Sequence, residues 1–235
     1  MTDSNQEASA SAGSGKRKRG FQRARSDEHK AQRRAELLEA ASALLEEVGV
    51  DGLSLSGLAK RAGLSKSNVY TYFESREDAL LSLLFEDWRR WVDGAEVAMV
   101  PLAGRDDPGA VAKILAERYL AQPRLCELMS VLSSVLEQNV SAERIETFKR
   151  STFPLGIRMA NMLHVALPSL PFDRCVWVLK SLIAQVAGFW PLLNPPPNVA
   201  AVLAKPEFAL HCVAKSDLQR SLRATLAGEM LLASE

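Results

Sequence analysis

Three serines, Ser54, Ser65 and Ser75, stand ten or eleven residues apart, and each precedes a short run with helical periodicity. That spacing constrains the chain more than any other feature, because short helices are marginal and depend on capped ends. Ser54 is expected to cap Leu55 to Ala62, in which Leu55, Leu58, Ala59 and Ala62 fall at i, i+3, i+4 and i+7. Gly63 supplies a tight reversal with Leu64 tucked inward, and Ser65 caps a second helix running to about Tyr72. Ser75-Arg76-Glu77-Asp78 then places a capping serine three residues before an acid at the start of a long helix. Two short helices joined by a glycine-containing turn make a helix-turn-helix, whose second helix suits a DNA major groove.

The rest of the chain also reads as helix. No segment sustains an alternation of period two, so the fold class is all-α. A first helix is expected from about Ser26 to Val48, with Ser26 as N-cap, Leu37, Leu38, Ala41, Leu44, Leu45 and Val48 on one face, and Gly49 ending it in left-handed geometry. Residues 1–25 read as a disordered arm whose Lys16 to Arg25 stretch carries six cations and no acid. Such a stretch is either a solvated tail or an arm that folds onto DNA phosphate or into a minor groove. The domain division is therefore an arm over 1–25, a helix-turn-helix domain over 26–74, and a helical C-terminal domain over 75–235 with a connecting helix from about 76.

Several function classes are excluded. Cys126, Cys175 and Cys212 are too scattered for a disulfide framework or a zinc site, and their use fits a reducing cytoplasm. No cofactor or metal is expected. No secretory signal is visible. The uncharged stretch Ser181 to Ala204 raises the question of a membrane span, but Pro191 and the 195–197 proline triplet are expected to break it well short of the roughly 20 residues a span needs. His29, His164 and His211 are the available histidine bases, and no nucleophile elbow, zinc helix, P-loop or dinucleotide fingerprint accompanies them. An enzyme or a DNA-independent helical adaptor stays as the alternative class.

The residues Gly49 to Leu55, Leu58 to Lys66 and Tyr70 to Leu80 together resemble the DNA-binding domain of the tetracycline-repressor (TetR) family of bacterial transcription regulators. The resemblance spans about Glu28 to Leu84 and is specific, since capping serines, Ala-Gly turn, aromatic triplet and following helix start fall at the expected separations. It implies a homodimer bound to double-stranded DNA at a palindromic operator, and a helical C-terminal part that dimerises and binds a small-molecule effector. The expected role is a repressor released by that effector. Two positions depart from the family pattern: Ser67 stands where Gly is frequent, and Arg76 where Lys is usual for a phosphate contact, which Arg can keep and make bidentate.

Ser65 opens the recognition helix, and Lys66, Ser67, Asn68 and Thr71 are the candidate readers of base edges. Asn68 can pair with adenine and Lys66 can donate to guanine. Ser54, Tyr70, Tyr72 and Arg76 are candidate phosphate contacts that set register. Val69, Phe73, Leu58, Ala59 and Leu64 are expected to pack.

Beyond Leu84 the reading is coarser. Helices are expected from about Ala110 to Ala121, from Pro123 through Leu136, from Ser141 through Met162 with a kink at Pro154, from Asp173 to Leu193, and from Ser216 onward. Residues 193–198 are expected to be extended or turn-like. The two late helices are the candidates for the dimer interface, packing as a four-helix bundle that presents two recognition helices one DNA turn apart. Phe153, Met159, Met162, His164, Trp177, Gln185, Phe189 and Trp190 combine adaptable apolar side chains with a few polar groups and are the candidate effector pocket.

The formal charge of +1, taken as a whole, speaks against a nucleic-acid partner, yet it averages unlike parts. Through Tyr72 cations exceed acids by three, and in the remainder acids exceed cations by two. The reading end is basic and the body slightly acidic.

Overall fold

The computed structural model describes the backbone of residues 8–235 and the side chains from Glu28 onward; the first seven residues of the arm lie outside the described residues. It contains ten α-helices and no strand among the described residues. The chain divides into two compact units, residues 1–73 and 74–235.

In the first unit, α1 spans Ala8–Gly52, α2 Leu55–Ala62 and α3 Lys66–Tyr70. The start of α1 differs from the sequence expectation. Residues 8–25 continue the helix instead of forming a disordered arm, and Ser26 lies inside it rather than capping it. No proline interrupts this stretch, and its Ala, Lys, Arg and Gln are good helix formers. The other end is broken at Gly49, whose φ of 70° and ψ of 178° are almost confined to glycine. Leu37, Ala41 and Leu45 are buried, whereas Val48 is turned outward and Val50 takes the inward place beyond the Gly49 break.

The serine caps form as the spacing requires. Ser54 Oγ accepts from the Gly57 N–H at 3.1 Å and Ser65 Oγ from the Asn68 N–H at 3.2 Å. Gly63 ends α2 at φ 64°, ψ 31°, and the Leu64 N–H closes the turn on the Ala59 carbonyl at 3.0 Å. Leu53, Leu55, Leu58, Ala59, Val69 and Phe73 fill the core of this unit with the α1 residues. The Arg34 guanidinium sits 5.2 Å from the centre of the Phe73 ring.

The second unit holds α4 (Arg76–Met99), α5 (Pro108–Leu120), α6 (Pro123–Ser130), α7 (Ala142–Ala166), α8 (Phe172–Leu193), α9 (Pro197–Leu203) and α10 (Lys215–Ala233). Ser75 caps α4 by accepting from the Asp78 N–H at 3.1 Å, and Ser141 caps α7 by accepting from the Arg144 N–H at 3.2 Å. Asp107 caps α5 through bonds to the Gly109 and Ala110 N–H groups, with Pro108 in the first turn, where its missing donor costs nothing. α4 runs against α5, α6 and α7, α8 packs on α6, α7 and α10, and α10 packs on α5 and α8.

Three expectations for this unit are corrected. The helix from Pro123 stops at Ser130, and a π turn over Leu132–Leu136 follows. α7 spans Ala142–Ala166 with Pro154, the expected kink site, inside it. α8 ends at Leu193 as expected, but Pro191 does not break it and it reaches 22 residues, because a proline this close to the helix end removes few of its bonds. It is thus long and apolar enough to cross a membrane by length and composition, although only 22% of its most apolar window is buried. Of residues 193–198, expected to be extended or turn-like, 194–196 are so, whereas Leu193 ends α8 and Pro197 opens the first turn of α9 (Pro197–Leu203).

Candidate nucleic-acid interface and effector unit

α3 has five residues, and only Val69 among them is buried. The candidate base readers Lys66, Ser67, Asn68 and Thr71 are all exposed, as are Ser54, Ser65 and Tyr70. Local bonds fix their directions. Ser65 Oγ and Ser67 Oγ lie 3.0 Å apart in a shared hydrogen bond, and Thr71 Oγ1 donates to the Ser67 carbonyl at 3.3 Å. The Lys66 ammonium lies 5.8 Å from the centre of the Tyr70 ring, which holds a cation beside a phenol hydroxyl on the outer side of the helix. A convex helix with one apolar anchor and a fringe of donors and acceptors has the chemistry for base edges and phosphate oxygens.

Tyr72 is half-buried and borders an open groove of about 520 Å³ that His29, Lys30, Gln32, Arg33 and Glu36 of α1 line with it. Lys30 and Arg33 are not among the sequence candidates, because nothing local in the sequence shows that α1 meets the 70–73 turn. Arg33 donates to Glu36 at 2.7 Å, and Lys30 lines the same groove. Arg76, at the first turn of α4, is half-buried, and its Nε donates to Glu77 at 2.8 Å.

The candidate pocket residues differ widely in exposure. Met159 is fully buried in α7, where its sulfur accepts from Trp88 Nε1 at 3.4 Å. Met162 lines a shallow groove of about 240 Å³ with Met99, Val100, Arg158 and Val165. Phe153 is 69% exposed, and Trp177 on α8 is half-exposed. His164 Nδ1 is 2.8 Å from the Leu170 carbonyl, which only accepts, so this nitrogen carries the proton. Gln185 Nε2 donates to Ser181 Oγ and to Thr225 Oγ1 of α10, fixing the α8–α10 contact, while Phe189 and Trp190 are half-buried near the end of α8.

Sequence reasoning missed a different cluster. Trp91 of α4 and Tyr119 of α5 stack with ring centres 4.1 Å apart, both fully buried. Burial pushes the Tyr119 hydroxyl far above its ordinary titration range. No group of three metal-ligating side chains occurs among the described residues.

The comparisons with known proteins agree with this architecture. Residues 37–83 match the family model for bacterial regulatory proteins of the tetR family, and residues 85–231 match that of the tetracyclin repressor-like C-terminal domain. No curated protein matches the sequence. Solved structures do match. One is FadR of Thermus thermophilus, a TetR-family transcriptional repressor in complex with lauroyl-CoA, with 16% identity over 83% of this chain and 94% of that one, at a TM-score of 0.56. Another is a TetR variant of Acinetobacter baumannii in complex with minocycline, with 17% identity over 86% and 95%, at 0.53. A third is a TetR-family regulator from Mesorhizobium loti, with 19% identity over 86% and 97%, at 0.50. These likenesses show a shared fold, and the two family models together span nearly all of the chain from Leu37 to Leu231. With an anchored, outward-reading α3 in the first unit and a helical second unit matched along its length, the chain belongs to the TetR family of transcription regulators.

Proposed function

We propose that this regulator is a cytoplasmic homodimer that reads a palindromic operator through α3, represses from it, and is released by a small-molecule effector bound within residues 75–235. Residues 26–74 act as the DNA-binding part and 1–25 as a basic arm that adds salt-sensitive contacts. The observation that carries the reading is the exposure pattern of α3: Val69 is its single anchor, and Lys66, Ser67, Asn68 and Thr71 stand outward. Asn68 and Lys66 read bases, with Ser67 and Thr71 beside them. Ser54, Tyr70, Tyr72 and Arg76 hold phosphates.

Two outward faces support the two-fold association. On α8, Trp177, Ala184, Gly188 and Leu192 fall on the side opposite the buried Cys175, Val178, Leu182 and Val186. On α10, Ala224, Ala227 and Leu231 fall opposite the buried Leu218, Leu222 and Leu226. Small residues let helices approach closely, and an isologous contact between these faces forms a four-helix seam. The effector reading draws support from the solved relatives that hold lauroyl-CoA and minocycline. The test is a random-library binding selection with the purified protein. An inverted repeat is the expected product, and recovery of no preferred sequence would overturn the reading.

A further inference from the structure

Residues 194–214 join α8 to α10, and none of them is buried. The segment is ordered all the same. It contains α9 and a 3₁₀ turn over Pro206–His211, which pack on each other. It is also apolar: Val199, Val202, Leu203, Phe208, Leu210 and Val213 are at least partly exposed, Leu210 to 99%, while Lys205 and Glu207 are its charged side chains. Ordering about 1–2 kcal/mol of backbone freedom per residue calls for burial in return, and within its own chain the segment buries Leu203, Phe208 and Val213 only in part.

We propose that residues 194–214 form a clasp that lies on a second copy of this chain and completes the two-fold contact begun by α8 and α10. This rests on the homodimer reading above. Continuity argues for it, since the segment leaves the C-terminal end of α8 and enters the N-terminal end of α10, the two helices whose outward faces form the proposed seam. Area argues for it as well. A stable interface takes about 800 Å² and roughly 20–30 residues from each partner. The outward stripes of α8 and α10 carry few large apolar side chains, Trp177, Leu192 and Leu231, and the clasp adds Val199, Val202, Leu210 and Val213 to that surface. By two-fold symmetry each copy gives its clasp and receives the other's.

Cys212, at the end of the segment, is a built-in reporter because it is exposed, whereas Cys126 and Cys175 are buried. Its weak contacts with the Leu203 and Phe208 carbonyls are internal to the segment and common to monomer and dimer. The experiment combines sedimentation velocity with iodoacetamide labelling of the full chain, followed across a dilution that spans its dissociation constant. Three proteins are compared: the parent, Leu210→Asp, and Gly188→Trp, whose added side chain meets no described atom within its own chain at the Cβ position. The expected result is a parent dimer in which Cys212 reacts at least tenfold more slowly than in the diluted or Gly188→Trp monomer. Leu210→Asp should raise the dissociation constant at least tenfold with an unchanged monomer melting temperature. Equal labelling in dimer and monomer, with a Leu210→Asp dimer as tight as the parent, would overturn the clasp while leaving the dimer standing. A parent that is monomeric at all concentrations would overturn the two-fold reading itself, and the clasp with it. Parent protein that binds phosphatidylcholine vesicles, with binding lost in Leu210→Asp, would assign the segment to a membrane surface and overturn the clasp alone.

Discussion

Arg124 of α6 grips Asp87 of α4 with both edges of its guanidinium, Nε at 2.6 Å and Nη2 at 2.5 Å, across 37 residues of sequence. Asp87 is 5% exposed, so this pair lies largely out of water. It is one of three such ties on α4: Arg144 of α7 bonds Asp78, and Arg158 of α7 reaches both Asp93 and Glu96. The helix that starts the second unit is held by cations from its neighbours as well as by packing.

Removing Arg124 leaves a buried carboxylate with Arg90, at 3.6 Å, as a weaker partner. Arg124→Ala should therefore destabilise the protein by about 3 kcal/mol. The double variant Arg124→Met, Asp87→Leu should lose markedly less, because neither charge is then stranded. Urea denaturation of the parent and both variants reads the difference, and equal losses would show that packing, not the ion pair, dominates there.

Two glycines with open space at their Cβ positions should respond to alanine with opposite signs. Gly49 sits at φ 70°, so Gly49→Ala should cost about 1–3 kcal/mol although nothing lies within 4 Å of the new methyl. Gly156 lies inside α7 with equally free surroundings, and Gly156→Ala should stabilise by about 0.5–1 kcal/mol. Melting temperatures would decide both. A neutral Gly49→Ala would mean that the Gly49 break is not required for folding.

Base and phosphate contacts separate by their salt dependence. Asn68→Ala should relax preference at one base position in each half-site, while Arg76→Ala should weaken all sequences alike and reduce the salt slope by about 1. The Arg76 bond to Glu77 orients the guanidinium at the first turn of α4. Binding measured on a panel of operator variants at several salt concentrations checks the division. A change of sequence preference in Arg76→Ala with an unaltered slope would reverse the assigned roles.

Two buried thiols give the protein an alkaline limit. Burial pushes Cys126 up to about 12 and Cys175 up to about 11 from an ordinary value of 9.0. Both folded-state values are raised, so the folded chain keeps protons that the unfolded chain releases. The resulting stability is fully present below pH 9 and is lost as pH rises from there through 11 and 12. Denaturation midpoints between pH 8 and pH 11 should fall, and the decline should shrink in Cys126→Ala. A profile unchanged in that variant would place the alkaline sensitivity elsewhere.

Local chemistry was legible in the sequence and long-range chemistry was not. Ser54, Ser65, Ser75 and Ser141 cap helices because a hydroxyl and an N–H three residues on are close whatever the rest of the chain does. α2 matches its expected span, Leu55–Ala62, for the same reason. The break at Val131 has no such local marker, and α6 was read as running on to Leu136. Nor does periodicity reveal that Trp91 meets Tyr119 or that Arg124 meets Asp87, since these depend on which face of α4 turns toward α5 and α6. The proposed pocket residues were chosen by type, and type alone does not say that Phe153 points outward while Met159 is enclosed.

Val69 carries a consequence of its own. Since it alone ties α3 into the core, the residues around it are free to change without disturbing how the domain holds together. Selection can therefore redraft the text this protein recognises one position at a time, with no intermediate that fails to fold. The scaffold stays constant while its vocabulary drifts, and descendants of such a chain can part company over their targets long before they differ in shape.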